Sequence, residues 1–514
     1  MNAKPRHSMM SRRSKCLLLL MLLGLVFPAR LSAQQLWREG GNVSGMALSG
    51  EDEGEARLQG SYTSGAFKDP SEGSQLWSAG AGARAERHFR DLFLAGDFSF
   101  DLVDGKDMCG SMFTHPGAFP IDVLEFTPGR KVRQVYGIGG ALAWKNASRW
   151  IPGVSLRFEG ENYAKRKDIR HTTYRQELQL VPSLLYKGDG WAAGATFRWD
   201  KTSEFIQAEQ IGSATSDSYY AFLDKGLMYG ACQVWDGSGI HLKEAGVDRL
   251  PLKEITYGAG LQASWGDFLY AEVEYSRRSG EAGEKGYTWF RFPGWALEAG
   301  LSAAVNAGAG RHVFGIRYGR HRQDNYETVL EKVTEGGVTT PVQYGSDLIF
   351  KQEEISLAPS WRFESESGWE LSSDVEVVYN HQLSTMLYPY ADEDGGMHLK
   401  AALDASVPLG RFTLGAGLRF LDLIDEHMHT LTKLDETLDV SAPPFRLEEW
   451  YDLATEAEDA ARLGGRLSVR YDIPLPGGHP LYIEAGWDFL HAFRIQYLAG
   501  HNRQCTRLTI GYHF

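Results

Sequence analysis

In the stretch 268–278, Leu269, Ala271, Val273 and Tyr275 share one parity, and Glu272, Glu274, Ser276 and Arg278 share the other. A period of two belongs to a strand whose faces meet different surroundings. The pattern recurs. In 91–102, Leu92, Leu94, Phe98 and Phe100 oppose Asp97, Ser99 and Asp101, and in 369–380, Trp369, Leu371, Val375, Val377 and Tyr379 oppose Glu370, Ser372, Asp374, Glu376 and Asn380. In 410–420, Phe412, Leu414, Ala416, Leu418 and Phe420 oppose Arg411, Thr413 and Arg419, and 153–159, 191–200, 463–473 and 480–489 behave alike. A soluble β-sandwich also alternates. Here, however, the polar faces carry charges of both signs deep in each segment, and the apolar faces end in Trp, Tyr or Phe. Strands of a barrel in lipid need that arrangement, an apolar outer band edged by aromatic girdles around a polar interior.

The pattern predicts strands at about 55–66, 75–89, 91–102, 131–146, 153–163, 171–187, 190–200, 251–266, 268–278, 287–304, 310–322, 349–366, 368–380, 396–408, 410–421, 463–474, 480–492 and 504–514. That makes about eighteen, within two. Tight joins at Arg90, 146–153, 188–190, 266–267, 306–310, Ser367 and Leu409 alternate with longer ones at 103–130, 201–250, 323–348, 381–395 and 422–462, and with shorter examples at 67–74, 164–170, 279–286 and 493–503. Short periplasmic turns alternating with long extracellular loops mark an outer-membrane barrel. Backbone groups in lipid must all be paired, so the expected fold is all-β, a closed antiparallel transmembrane β-barrel over residues 55–514. At the C-terminus Thr506, Leu508, Ile510, Tyr512 and Phe514 alternate with Arg507, Thr509, Gly511 and His513, which predicts a last strand pairing with the first. The ending also resembles the C-terminal assembly signal of outer-membrane barrels. On that resemblance Tyr512 and Phe514 are the positions read by the barrel-assembly machinery.

The N-terminus predicts an export signal over 1–33. Lys4, Arg6, Arg12, Arg13 and Lys15 precede the apolar run Cys16–Phe27, and a small-residue site ends at Ala33. Residues 34–54 then form a short periplasmic segment, and the destination is the cell outer membrane, with its lipid as the first partner. The whole chain carries −13, and removing the six basic residues of 1–33, with no acid among them, leaves −19. That excess argues against a nucleic-acid partner. Cys109, Cys232 and Cys505 then remain, an odd number, as one bridge and a free thiol or as three isolated thiols. Fifty-eight glycines and 12% aromatic residues suit a large β structure.

A barrel this wide holds a water-filled lumen unless something fills it. A plug domain of a hundred-odd residues has no room before Glu55, which argues against an energised receptor. Loop 422–462 holds twelve acids against Lys433, Arg446 and Arg462, and Leu447, Trp450, Tyr451 and Ala454 within it have helical spacing. Folded inward, that helix narrows the pore and favours cations; folded outward it is solvated surface, the commoner fate of a charge run. Met108, Cys109, Met112 and His115, Met386, Met397 and His398, and His427, Met428 and His429 offer soft ligands for copper or haem, but no pair has strong metal-ligand spacing. Asp392, Glu393 and Asp394 lack the length and oxygen pattern of an EF-hand loop. No metal or cofactor site is assigned. With no GxSxG and no HExxH, no catalytic residue is assigned and the chain is read as no enzyme.

The segment 107–131 (DMCGSMFTHPGAFPIDVLEFTPGRK) lacks alternation and is rich in Gly, Pro and Phe. Packing into the lumen is preferred for it over a ligand site. Its pieces CGSMF (109–113) and EFTPG (125–129) resemble a domain-of-unknown-function family of outer-membrane β-barrels from Gram-negative anaerobes, a similarity extending along most of the mature chain. That resemblance implies a barrel in the outer membrane and brings no activity. The resulting expectation is a passive or partner-gated channel for a small hydrophilic solute. The alternative is a non-conducting accessory barrel docking a surface lipoprotein, receptor or secretion component. By parity the lumen-facing charges are Asp97, Asp101, Glu272, Glu274, Glu370, Glu376, Arg411, Arg419, Arg466 and Arg470.

Overall fold

A computed structural model of the chain describes residues 36–37, 41–48, 52–145, 148–167, 169–209, 221–226, 232–235, 247–266, 268–284, 287–385, 392–430, 441–442, 445–476 and 479–514. The predicted export signal lies outside these residues. The alternating segments form β1 (Glu53–Gly65), β2 (Gln75–Phe89), β3 (Leu92–Ser111), β4 (Asp122–Trp144), β5 (Trp150–Lys165), β6 (Arg170–Lys187) and β7 (Trp191–Glu209). Two short loop strands follow, β8 (Ala221–Asp224) and β9 (Cys232–Trp235). The barrel resumes with β10 (Val247–Trp265), β11 (Leu269–Glu284), β12 (Tyr287–Ala307), β13 (Gly310–Glu335), β14 (Val338–Ser365), β15 (Glu370–Ser384), β16 (Asp392–Leu409) and β17 (Phe412–Thr430). A two-stranded loop hairpin, β18 (Ser441–Ala442) and β19 (Phe445–Arg446), precedes β20 (Arg462–Pro474), β21 (Pro480–Ala492) and β22 (Asn502–His513). Helices with described bounds are α1 (Val43–Met46) and α2 (Leu447–Asp459).

Each barrel strand pairs antiparallel with the next, β7 with β10 and β17 with β20, and β1 closes on β22 with Glu55 opposite His513 and Gly65 opposite Arg503. The result is a closed antiparallel barrel of eighteen strands. Phe514 completes the seam. Its amide donates to the Gly54 carbonyl at 2.9 Å, and its ring lies where a Cβ on Gly54 would sit, so the second residue of the first strand has to lack a side chain. Tyr512 stacks on Phe514 with centroids 6.1 Å apart, and the Arg87 guanidinium lies over the Phe514 ring at 5.6 Å.

The outward face is apolar between two aromatic rings. Trp144 and Tyr136 on β4, Trp191 and Trp199 on β7, and Trp265 and Tyr257 on β10 are each eight residues apart with alternate apolar residues between. Eight residues of strand run about 26 Å and, at the usual barrel tilt of about 40°, rise about 20 Å, so with the flanking aromatic rings they fill most of the apolar band of a lipid-embedded barrel. Among the described residues no helix is long and apolar enough to cross a membrane.

At the turn end, every strand boundary lies within three residues of its predicted position. At the loop end several strands run far past it. β3, β4, β7 and β17 gain nine residues each, and β13 and β14 absorb the predicted loop 323–348 as a hairpin turning at Gly336–Gly337. Above the aromatic band both faces meet water or folded loops, so pairing continues there without the alternation that revealed it lower down.

Candidate functional site: the lumen and the segments that cross it

The inward face is lined with paired charges. Asp97 stands beside Gly139, Asp101 accepts from the Gln59 amide at 3.2 Å, and Glu272 accepts from the Tyr270 hydroxyl at 2.9 Å. Glu274 pairs with Arg198 at 3.5 Å, Glu376 with Lys400 at 3.1 Å, Arg419 with Asp404 at 2.7 Å, Arg466 with Asp488 at 2.6 Å, and Arg470 with Asp472 at 2.8 Å. Glu370 opens β15 and Arg411 sits in the turn before β17, both exposed at the turn end. The ten predicted charges are thus spread around the whole wall and form no single cluster.

The N-terminal segment enters the barrel. Trp37 is fully buried, meets Tyr270 edge-on at 5.1 Å and donates its indole N–H to Ser264 at 3.0 Å. Asn42 caps α1 through Oδ1, which accepts from the amides of Ser44 and Gly45, while its Nδ2 donates to Gln262 at 2.9 Å. On the other side Ser44 shares a 2.8 Å hydrogen bond with Ser183 of β6. Leu36, Trp37, Val43, Ala47 and Leu48 then pack with Phe93, Ile151, Leu185 and Tyr270 from the wall. The wall is shaped for this guest. A Cβ on Gly194 would stand 2.5 Å from Asn42 Nδ2, and one on Gly153 would stand 2.7 Å from Ser44 Oγ. The described parts of this segment therefore rest inside the barrel near the turn end, hydrogen-bonded to the nearby strands β6 and β10 and in ring contact with β11.

At the loop end, the segment that breaks the alternation folds into the lumen. Met112, Phe113, Phe119 and Ile121 are buried against Ile206, Leu252, Phe290, Phe292 and Phe350 from four strands of the wall. Polar contacts fix it. Thr114 donates its amide to Glu204 at 2.8 Å, Thr173 Oγ1 donates to the Met112 carbonyl at 2.7 Å, and Asn325 donates to the Pro120 carbonyl at 3.4 Å. His115 meets Glu161, which also receives Arg133 at 2.6 Å and Arg175 at 2.8 Å. Behind it, Lys131 and Lys165 both contact Glu125, all three side chains being fully buried. An unpaired charge at such depth is costly, so this triad stays assembled or the loop does not dock.

Helix α2 forms where the sequence predicted it and folds inward, the less favoured of the two alternatives. Trp450 is buried on Phe126 with centroids 4.8 Å apart, and His398 of β16 pairs with Asp459 at 2.8 Å. Glu456 accepts the amides of Tyr497 and Leu498 at 2.7 and 2.6 Å, tying the helix to the last loop. In β8, which pairs with the start of β4, burial pushes the Asp224 carboxyl up to about 6 against a hydrogen bond from the Gly226 amide that lowers it.

Two cavities flank the N-terminal segment and meet it at Gly41, one of about 470 Å³ lined by Arg198, Glu272, Glu274, Glu298, Arg317 and Glu376, the other of about 540 Å³ lined by Arg57, Arg84, Asp97 and Arg157 among others. Among the described residues the grouping with metal-ligand geometry is His115, Glu159 and Glu161. Arg133 and Arg175 already neutralise Glu161, so these residues make a latch for the loop and a poor cation site. Cys109 is buried and Cys505 partly so, both as free thiols. The side chain of Cys232, with Met386 and the His427–His429 run, lies outside the described residues.

Residues 44–514 match the model of a family of unknown function, DUF6850. The chain belongs to that family. Among curated proteins none matches the sequence. Among solved structures the fold is similar to the ferric preacinetobactin receptor BauA of Acinetobacter baumannii, with 10% identity, 90% of this chain and 80% of that chain covered, and a TM-score of 0.42. It is also similar to OpdL of Pseudomonas aeruginosa, with 12% identity, 91% and 99% covered and a TM-score of 0.35, and to OccK3 (OpdO) of the same organism, with 10% identity, 91% and 97% covered and a TM-score of 0.34. Likenesses this distant bring no substrate with them.

The alternation pattern assigns residues 34–54 to a segment outside the barrel and singles out none of Trp37, Asn42 or Ser44. One signal was available: WREGGNVSGM (37–46) carries an Asn cap and a lone Trp ahead of the first strand, a small folded unit more than a spacer.

Proposed function

We propose that this chain is a gated outer-membrane channel for a small hydrophilic solute, closed at rest by its own N-terminal segment and opened when a periplasmic partner or load draws that segment out. The carrying observation is the seat of the segment: three side-chain hydrogen bonds, one ring contact and two wall positions kept free of side chains by Gly153 and Gly194. A polar, charged wall with cavities on both sides of the seat supports solute passage once the segment moves. Export through the signal at 1–33, residence in the outer membrane of a Gram-negative cell, and recognition of Tyr512 and Phe514 by the barrel-assembly machinery belong to the same reading. So does the absence of catalysis.

The discriminating experiment is single-channel recording in planar bilayers with Gly194→Val, whose side chain displaces Asn42 while leaving the strand pairing intact. The wild type is expected to open rarely and briefly, and the variant to stay open. Silence from both, with each migrating as a folded barrel in unheated gels, removes the channel.

A second reading then stands, the accessory barrel that docks a surface lipoprotein or secretion component. It is favoured by the β13–β14 hairpin. Beyond Phe290–Glu327 and Phe350–Ser384 this hairpin has no strand beside it among the described residues, and it exposes Val338 and Tyr344 at 63% and 61%. Unpaired strand edges of this kind are templates for another chain.

A further inference from the structure

The inward charges are not distributed evenly around the barrel. On β7, β10 and β11 the described inward positions hold Asp200, Glu204, Glu254, Glu272 and Glu274 against Arg198 and Arg278. Nine strands away, halfway round the cylinder, β20, β21 and β22 hold Arg462, Arg466, Arg470, Arg503 and Arg507 against Asp472, Glu484 and Asp488. The first wall is acidic and the second is basic. Together they carry almost no net charge, so they discriminate weakly between a cation and an anion. Their separation makes a field directed across the lumen, and low-dielectric walls concentrate it.

Local pairing leaves that field partly standing. Asp488 is shared by Arg466 at 2.6 Å and Arg507 at 3.2 Å, one acid between two bases. On the opposite wall Arg198 serves both Asp200 and Glu274, one base between two acids. Glu204 and Asp200 each keep a buried carboxylate oxygen with no hydrogen-bond partner among the described residues. Each wall is thus deficient in the sign that the other holds in excess.

We propose that the solute carried is zwitterionic, a small molecule with an ammonium at one end and a carboxylate at the other, aligned across the lumen between these walls. This rests on the channel reading above and adds the substrate class. A neutral polyol of the same size gains nothing from a transverse field. A simple ion attracted to one wall is repelled by the other. A separated pair of opposite charges is oriented by both, with no net charge brought into the barrel.

The test is osmotic swelling of liposomes carrying the full chain or its Gly194→Val variant, in glycine betaine or in erythritol. Betaine is expected to enter about tenfold faster than erythritol, the low end of electrostatic focusing. Glu272→Gln with Glu274→Gln, or Arg466→Gln with Arg507→Gln, should each bring the ratio towards one while erythritol entry holds, which also shows that the variants are folded and open. Equal entry of the two solutes through the unaltered walls overturns the zwitterion proposal and leaves the channel standing. Entry of neither, even with Gly194→Val, overturns both.

Discussion

Glu161 shows how single residues govern this interior. Its carboxylate faces His115 from the lumen loop and two arginines from neighbouring strands, so a residue of the loop is held by a charge the wall has already compensated. Trp37 plays the corresponding part at the turn end. Trp37→Ala removes a fully buried ring and its bond to Ser264, and is expected to weaken docking of the N-terminal segment by about 3 kcal/mol. A higher open probability in bilayers, with unchanged gel migration of the folded barrel, would register it. Asp224 carries a pH dependence of definite sign. Its carboxyl sits at about 6 in the fold against an ordinary value of 3.8, so the protonated form is the one the fold accommodates. Its stabilising share is complete below the unfolded value and is lost as pH rises through about 6, a swing of at most roughly 3 kcal/mol. Amide protection factors in β8, corrected for the intrinsic pH dependence of exchange, should therefore be higher at pH 4.5 than at pH 7.5, and in Asp224→Asn should be the same at both. Equal protection factors in the wild type at the two pH values would show that the group is hydrated.

Among the elements, strands were legible in proportion to their contact with the apolar band. β2, with its run of alternating Ala and Gly from Trp77, and β21 are bounded where the pattern bounds them. The upper parts of β3, β4, β13 and β14 escaped because one face meets folded loop and the other meets water, so both faces are mixed. Gly336–Gly337 was a readable hairpin signal within the predicted loop, both residues taking positive φ, as a two-residue turn between twisted strands requires. Helix α2 was legible from its spacing, but its docking was not. Its acid count pointed to solvent, whereas the aromatic stack of Trp450 on Phe126 decided for the interior. Trp450→Ala should cost the docked helix about 3 kcal/mol or more. Hydrogen exchange across 447–459 would rise by orders of magnitude while exchange in β20 and β21 stays slow; uniform exchange across all three would contradict independent docking.

For the whole molecule, closure is the dominant constraint. Eighteen strands leave no unpaired edge at membrane depth, and the seam between β1 and β22 is as continuous as any other pair. Enclosure then turns each inward charge into part of one shared field. Glu272→Lys with Glu274→Lys changes the acidic wall by four charges, and in the open channel should move the reversal potential in a salt gradient towards anion preference. An unchanged potential would place these side chains away from the ion path. What sequence alone determined was the barrel and its strand number, because lipid on one side and water on the other impose period two residue by residue. What only the tertiary structure decided was the occupancy of the lumen. Whether Trp37, Phe113 and Trp450 lie inside or outside depends on partners hundreds of residues away, and no local pattern encodes a contact made across a cylinder.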